Sequence, residues 1–570
     1  RGIRDSRMSK WVEIRKGADF QKIGQQFHIT PLAARLIRNR EIRGEAEIRK
    51  YLHGTVKDLY PASSMKGMKD TVEILSEKIR QGKRIRIIGD YDIDGVCAAY
   101  ILLKGLSVLG ANVDTDIPDR IKDGYGLNQE LVDRAFLDGI DTVLTCDNGI
   151  AAVKEIAYAK EKGMTVLVTD HHEVQQEIPP ADAVIDPRQE DCLYSFKKLC
   201  GAAVAWKLTG ELWKAFPYRD DGLYRELMMF AAFATVGDVM DLEDENRILV
   251  REGLKMLRET AHPGMSALIE VNELPRERLS AFHIGFVLGP CINAGGRLDT
   301  AKRALELLDT QDYELALRRA KELKDLNDER KTMTEQGVKA GIRQIENGPL
   351  RDDRVLVVYL PDCHESLAGI IAGRIRERYY RPVFVLTRGE EAVKGSGRSI
   401  ETYSMFEEMS KCRDLFLKYG GHPMAAGLSL AEENVEEFRR RINESCTLTE
   451  EDLTEVERID MVLPFRWVTE RLTEELELLE PFGKGNTRPV FAVRNVRILE
   501  SRVLGKHQNM LRLKLMDEEG TAMDGVFFRE DMQQVLSDFQ KKDRLHFLYY
   551  PEMNEYRGRK KLQIRILDYC

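Results

Sequence analysis

Three carboxylates crowd into five residues in Asp90-Tyr91-Asp92-Ile93-Asp94-Gly95. Anions so close repel one another unless a cation neutralises them. Further acids and imidazoles follow at Asp147 (in CDNG), at Asp170-His171-His172, and at Asp238 (in ATVGDV). The D-x-D-x-D-G spacing imitates the start of an EF-hand loop, but that loop needs Glu at its twelfth position, where Ile101 stands. Oxygen donors with an occasional imidazole and no thiolate suit Mn²⁺ or Mg²⁺ better than Zn²⁺ or copper. The acids suffice for two ions sharing a bridging carboxylate, and such pairs, ~3.5–4 Å apart, clamp the attacking and leaving oxygens of a phosphoryl displacement. Each position alone has a plainer explanation, since Asp after a strand often caps the next helix and an isolated His often belongs to a core. Their recurrence at consecutive strand ends is what favours a metal centre.

Those ends must be brought together by a sheet. From about residue 83, short β-branched runs alternate with helical stretches: RIRIIG, ANVDTDIP, DTVLTCD, MTVLVTD and AVIDP read as strands. This alternation predicts a parallel sheet with helices on both faces, in which ligands gather beyond the carboxyl ends of the strands. The helix expected over 95–110 is apolar nearly all round and therefore buried. Cys146 adjoins Asp147 but points the other way by strand alternation, into the core. Apolar residues at steps of three and four over 312–346 predict one long connector helix, on the order of 50 Å at about 1.5 Å per residue. A second α/β unit opens at RVLVVYL (354–360) and carries the glycine-rich stretches LAGIIAGR, KGSGRS and YGGHPMAAG.

After the acidic, Thr-rich stretch 447–458, strands are expected at 489–499, 509–517 and 521–528, a helix near 530–540, and strands at 543–550 and 561–568. That is the element order of an OB-fold β-barrel, whose first-to-second and fourth-to-fifth strand loops hold oligonucleotides. The sequence puts Arg502, Lys506 and His507 in the first loop, and Arg557, Arg559, Lys560 and Lys561 in the second. Eight Lys/Arg face three Asp/Glu over 541–565, in a chain of net charge -8. The overall charge argues against a blanket polycation, whereas the local cluster favours nucleic acid over a merely solvated face.

The 570 residues, 43% apolar and 32% charged, are enough for several cores and exclude global disorder. No run approaches the roughly 18 apolar residues of a membrane span. Nine scattered cysteines without a CxxC pair fit a reducing cytosol. Arg1 is not a natural start, and Met8, opening MSKW, is the expected initiator.

GDYDIDG, DNG and DHH, in this order, resemble motifs I to III of the DHH phosphoesterase superfamily. PDRIKDGYGLN, LCGAAVAWKL, INAGGRLDTA, LNDERK, GSGRSI, GGHPMAAG, LEPFGKGN and RGRKKLQIRILD narrow the resemblance to its RecJ branch of bacterial single-strand-specific exonucleases, over residues 9–570. The resemblance implies an α/β protein with an N-terminal segment (1–55), a parallel-sheet DHH domain (56–310), the connector helix (311–348), a DHHA1 domain across a cleft (349–447) and the OB-fold (455–570). It implies metal ligation by Asp92, Asp94, Asp147, His171 and Asp238, with Asp147 bridging, and Asp90 and His172 as ligands or as supports for the others. Together these are the expected catalytic and metal residues. Arg120, Ser396 and Arg398 would grip the terminal phosphate, which suits a bidentate guanidinium and a loop whose glycines admit backbone N–H groups. Tyr125 would stack on a base or simply pack, and His422 would touch the DNA or cap a helix. Cys291 stands where the family has Arg before INA, with Arg297 as the compensating cation. Cys363 replaces an aromatic before HE, and the sequence ends after the OB-fold where many relatives carry a further domain.

The implied activity is processive 5′→3′ hydrolysis of single-stranded DNA to 5′-mononucleotides with two Mn²⁺ or Mg²⁺ ions, in recombination and repair, duplex being excluded by the cleft. The implied setting is a cytoplasmic, nucleoid-associated monomer, with single-stranded DNA, a single-strand-binding protein and a RecQ-type helicase as partners and no membrane. The rivals are a DHH phosphodiesterase of short oligonucleotides or cyclic dinucleotides, a DHH pyrophosphatase, and a non-catalytic single-strand-binding scaffold that would be expected to lose metal ligands. Removing 455–570 is expected to weaken binding to long strands and to spare hydrolysis of very short ones.

Overall fold

The computed structural model describes residues 9–505, 508–529, 532–556 and 558–570. The chain divides into two compact units. One, the sheet unit, comprises Arg43–Arg330 and Glu480–Arg488; the other, the barrel unit, comprises the residues up to Ile42, Lys331–Leu479 and Pro489–Cys570.

The sheet unit holds a five-stranded, wholly parallel sheet in the order Asn112–Asp116, Arg84–Ile88, Thr142–Cys146, Thr165–Thr169, Ala183–Ile185. Its central strand, TVLTC, is buried at every position, as a sheet covered on both faces requires. The helix Ile93–Ser107 is buried along most of its length against the helices Gly201–Lys214 and Asp221–Gly237. Gly105 allows that approach, since a Cβ there would lie 2.5 Å from Thr209 Cγ2. Each of the five strands ends in, or is followed within two residues by, an aspartate: Asp90, Asp116, Asp147, Asp170 and Asp186. The topology thereby delivers a row of carboxylates to one edge.

The helix Tyr313–Asn347 runs for 35 residues, as its period predicts. Ala316, Ala320 and Leu323 join the core of the sheet unit, whereas Met333, Val338 and Ile345 join a core of the barrel unit. Within the barrel unit a second sheet runs Phe416–His422, Ala425–Leu430, Val393–Arg398, Val383–Arg388, Leu356–Tyr359.

The C-terminal strands close into a barrel. Phe491–Leu504 pairs with both Met510–Met516 and Leu545–Tyr556, and Ala522–Phe528 pairs in parallel with Arg559–Tyr569. The circuit is completed by two further antiparallel pairings. This is the expected OB-fold, and closure removes the open edges of its sheet. The basic residues sit differently from the expectation. Arg502 lies inside the strand Phe491–Leu504, and Lys560 and Lys561 lie inside Arg559–Tyr569, not in loops. The last hairpin is longer than its sequence suggests because its strands extend towards its tip, and Lys561 is ion-paired with Asp524. Lys506, His507 and Arg557, like the side chain of Arg559, lie outside the described residues. No described helix is long and apolar enough to cross a membrane.

Candidate metal centre

The turn after the first motif strand is built so that its acids face one another. Asp92 caps the helix Ile93–Ser107, its Oδ1 accepting the N–H groups of Asp94 and Gly95, each at 3.0 Å. Gly95 is required by a close approach, because a Cβ would lie 2.4 Å from the Asp90 backbone. Asp94 is fully buried, and its two oxygens accept the N–H groups of Gly201 and Ala202 at 2.6 and 2.7 Å. Those amides open the helix Gly201–Lys214, whose positive end suits a carboxylate.

Asp147 adopts a left-handed backbone conformation (φ 60°), a costly one for a residue with a Cβ. Asn148 holds the turn by donating to the carbonyls of Ile88 and Cys146 at 3.0 and 2.9 Å. His171 Nε2 then lies 3.0 Å from Asp147 Oδ1, 3.4 Å from Asp94 Oδ2 and 4.0 Å from Asp238 Oδ2. Asp170 accepts N–H groups from Ile150 and His171 and sits 2.7 Å from His172 Nδ1. Asp238 follows the helix Asp221–Gly237 directly, its N–H donating to Ala234 at 2.8 Å.

Three overlapping donor sets result, each with its ligand atoms within 4.8 Å of one another: Asp90, Asp92 and Asp147; Asp94, His171 and Asp238; Asp147, Asp170, His171 and His172. Burial, and then repulsion among the acids, pushes Asp90 and Asp147 well above the ordinary carboxylate value, raises Asp92, and lifts Asp238 to about 8. Burial would lower His172, but the hydrogen bond and charge of Asp170, with Asp94 and Asp238, lift it to about 9. Burial depresses His171. Asp90 Oδ2 and His171 Nδ1 are buried with no hydrogen-bond partner among the described residues. Repelling carboxylates with an orphaned oxygen are the donor set a divalent cation satisfies. The neighbouring thiols of Cys97, Cys146 and Cys200 are buried and their pKa values pushed up, so they stay thiols.

A cavity of about 270 Å³ opens beside these acids, with Asp90, Asp92 and Asp238 facing Tyr91, Arg120 and Arg297. The Arg120 guanidinium sits 4.9 Å over the Tyr91 ring. Burial, with Arg120 and Arg330 nearby, draws Arg297 down to about 10. Tyr125 both packs and exposes a face: its hydroxyl donates to the Asp147 carbonyl at 2.9 Å, yet the residue is 51% exposed.

Ser396, Arg398 and His422 belong to the barrel unit, on neighbouring strands. Arg398 and His422 both pair with Ala425, from opposite sides. His422 ends a strand and is exposed, so the helix-cap alternative is wrong. Gly369 makes room for Arg398, whose Nη2 would lie 2.7 Å from a Cβ there. Sequence reasoning counted Asp170 among the strand-end acids without a specific role, and gave none to the support residues Asn148 and Asp186. Asp186 is pushed up to about 7 by burial. The strand-end aspartate in AVIDP was the available signal.

A parallel sheet that gathers aspartates and a histidine pair at its carboxyl edge, in a chain with a second α/β sheet, defines a metal-dependent phosphoesterase of the DHH class. Family models agree, matching the DHH family N-terminal domain over residues 84–235, the DHHA1 domain over 352–447 and the RecJ OB domain over 459–568. The single-stranded-DNA-specific exonuclease RecJ of Bacillus subtilis strain 168 is 36% identical over 564 residues, covering 98% of this chain and 70% of that protein. The enzyme of the same name from Escherichia coli is 33% identical, covering 98% and 99%. The crystal structure of RecJ from Thermus thermophilus in complex with Mn²⁺ superposes with a TM-score of 0.84 at 29% identity, covering 98% of this chain and 79% of that one. The chain belongs to the RecJ family.

Proposed function

We propose that the chain is a metal-dependent exonuclease that degrades single-stranded DNA from the 5′ end and releases 5′-mononucleotides. The observation that carries this reading is the convergence of Asp90, Asp92, Asp94, Asp147, His171 and Asp238 on one edge of the sheet in a chain of this family. These residues would hold two divalent ions, Mn²⁺ or Mg²⁺, and Asp147, which joins two of the donor sets, is suited to bridge them. When bound, the ions supply a nucleophilic water and neutralise charge on the leaving oxygen. The chain's own residues fix the geometry. Helix amides hold Asp94, Asn148 holds the Asp147 turn, and Asp170 orients His172. Arg120 and Arg297 offer guanidinium forks to phosphate in the adjoining cavity, and the exposed face of Tyr125 offers a stacking surface to a base. Ser396, Arg398 and His422 are assigned to the terminal phosphate, and the barrel to the strand beyond. By family expectation the enzyme works as a cytoplasmic, nucleoid-associated monomer, beside a single-strand-binding protein and a RecQ-type helicase.

The test is a Mn²⁺-dependent time course on single strands labelled at either end. Early release of mononucleotide from the 5′ label, absent with duplex and with Asp147→Ala, is the expected result. Binding without cleavage in every metal would identify a scaffold instead, and cleavage confined to dinucleotides a small-substrate phosphodiesterase.

A further inference from the structure

LEPFGKGN carries no residue of the site above, yet its position in the fold is unusual. Glu480–Arg488 packs as part of the sheet unit, while the chain on both sides of it belongs to the barrel unit. The loop is internally braced: Gly483 N–H donates to the Asn486 carbonyl at 2.9 Å, and Asn486 Nδ2 to that of Pro481 at 2.8 Å. Asn486 Oδ1 accepts the Tyr51 hydroxyl at 2.9 Å.

Its tip grips the segment just beyond Asp238. The Lys484 carbonyl accepts Leu242 N–H at 2.7 Å, and its ammonium lies 3.3 Å from Asp241 Oδ1. Gly485, at φ +77°, comes so close that a Cβ would stand 3.1 Å from the Asp241 Cβ. The other Asp241 oxygen is held by Lys198 at 2.7 Å. Lys198 leads into the helix whose first amides hold Asp94, so Asp241 is a node shared by the segments that place Asp94 and Asp238. Between Asp238 and Asp241 the backbone includes Val239 at φ 56°, a conformation that surrounding contacts must enforce.

We propose that Glu480–Arg488 is a strap that positions Asp238 for its ion, with Lys484 as a positioning residue acting through Asp241. The proposal rests on reading Asp238 as a metal ligand. Charge and position here have opposite signs, which makes the proposal testable. Lys484 is a cation whose field reaches Asp238, so deleting it should by charge alone tighten the binding of a dication. Loss of positioning should weaken it.

The experiment is a Mn²⁺ titration of the full chain, followed by electron paramagnetic resonance, on the parent and on Lys484→Met, Lys484→Arg, Gly485→Ala and Asp238→Asn, with melting curves as a control. Lys484→Met should bind Mn²⁺ about tenfold more weakly, the lower end of what outer-sphere supports usually contribute. Lys484→Arg should restore binding, and Gly485→Ala, which keeps every charge but forces a methyl against Asp241, should weaken it. Unchanged or tighter binding in Lys484→Met, with Asp238→Asn weakened, overturns the strap. Parent-like binding in Asp238→Asn overturns the ligand reading itself, and the strap's role with it.

Discussion

A methyl group tests the packing around Asp147. Gly201 opens the helix that holds Asp94, and a Cβ there would lie 2.7 Å from the Asp147 Cβ and 2.9 Å from its Cα. Ala is the better helix former by up to about 1 kcal/mol, but overpacking usually costs about 1–3 kcal/mol, so sterics should win. Gly201→Ala should therefore displace Asp147 and cut activity about 100-fold, the scale of a small misplacement in an active site, with weaker Mn²⁺ binding. Parent-like turnover would show that the turn relaxes freely. A second residue sets a pH limit away from the metal. His262 is buried, its Nδ1 accepting Met265 N–H at 3.3 Å and its Nε2 lying 2.9 Å from the Tyr100 hydroxyl. Burial draws its pKa from 6.5 down to about 4. The unfolded chain therefore takes up the proton first as pH falls. The stability His262 contributes is complete above about 6.5, drains away towards about 4 and then levels off, a total of roughly 3 kcal/mol. The urea midpoint of the parent should fall more between about pH 7 and about pH 5 than that of His262→Gln, and equal falls would remove His262 as the cause. The ligand candidates were legible because adjacent acids have few structural uses. The hold of Asn148 on its turn and of Asp170 on the His172 imidazole was not, because such support needs no special spacing.

At the scale of elements, the period of the apolar residues gave the parallel sheet, the long helix and the barrel order, since each buries a face that leaves a pattern. Which side of the barrel is basic left no such pattern. A run rich in Lys and Arg near a turn looks like a loop, whereas pairing across the sheet carries these residues onto strands. Arg502 stands directly opposite Arg512, and Arg512 opposite Val526, which in turn pairs with Arg565. Residues directly opposite share a face, so Arg502 and Arg512, both exposed, form an outward row. Beside it, the Arg565 guanidinium lies 5.4 Å over the half-exposed ring of Phe528. The double variant Arg502→Ala with Arg512→Ala should weaken binding to long single strands whatever their sequence. Its plot of log affinity against log salt should be shallower by about 1.4, or roughly 0.7 for each phosphate no longer neutralised. Lys561→Ala, already neutralised by Asp524, should change that slope little. A double variant with the parental slope would move the binding face elsewhere on the barrel.

For the whole molecule, the order of the chain and the order of the units disagree, and that changes what a truncation means. The RecJ OB model spans residues 459–568, so a cut at 454 looks like the clean removal of a nucleic-acid-binding domain. It also removes Glu480–Arg488, which packs on the sheet unit, together with the Lys484 contacts to Leu242 and Asp241. The sequence alone suggests that such a chain keeps its hydrolysis of very short substrates. The structure predicts otherwise: the 1–454 chain should lose Mn²⁺ affinity by at least the tenfold expected of Lys484→Met, and should cleave even a dinucleotide poorly at limiting metal. The barrel-face double variant keeps the strap, so it should lose long strands alone and keep both Mn²⁺ affinity and short-substrate turnover. Measuring Mn²⁺ affinity and dinucleotide hydrolysis on both proteins, with a cooperative melt to show that the sheet unit stays folded, separates the two contributions. If the truncated chain matches the full one in both measurements, the C-terminal region serves the strand alone and the metal site is complete without it.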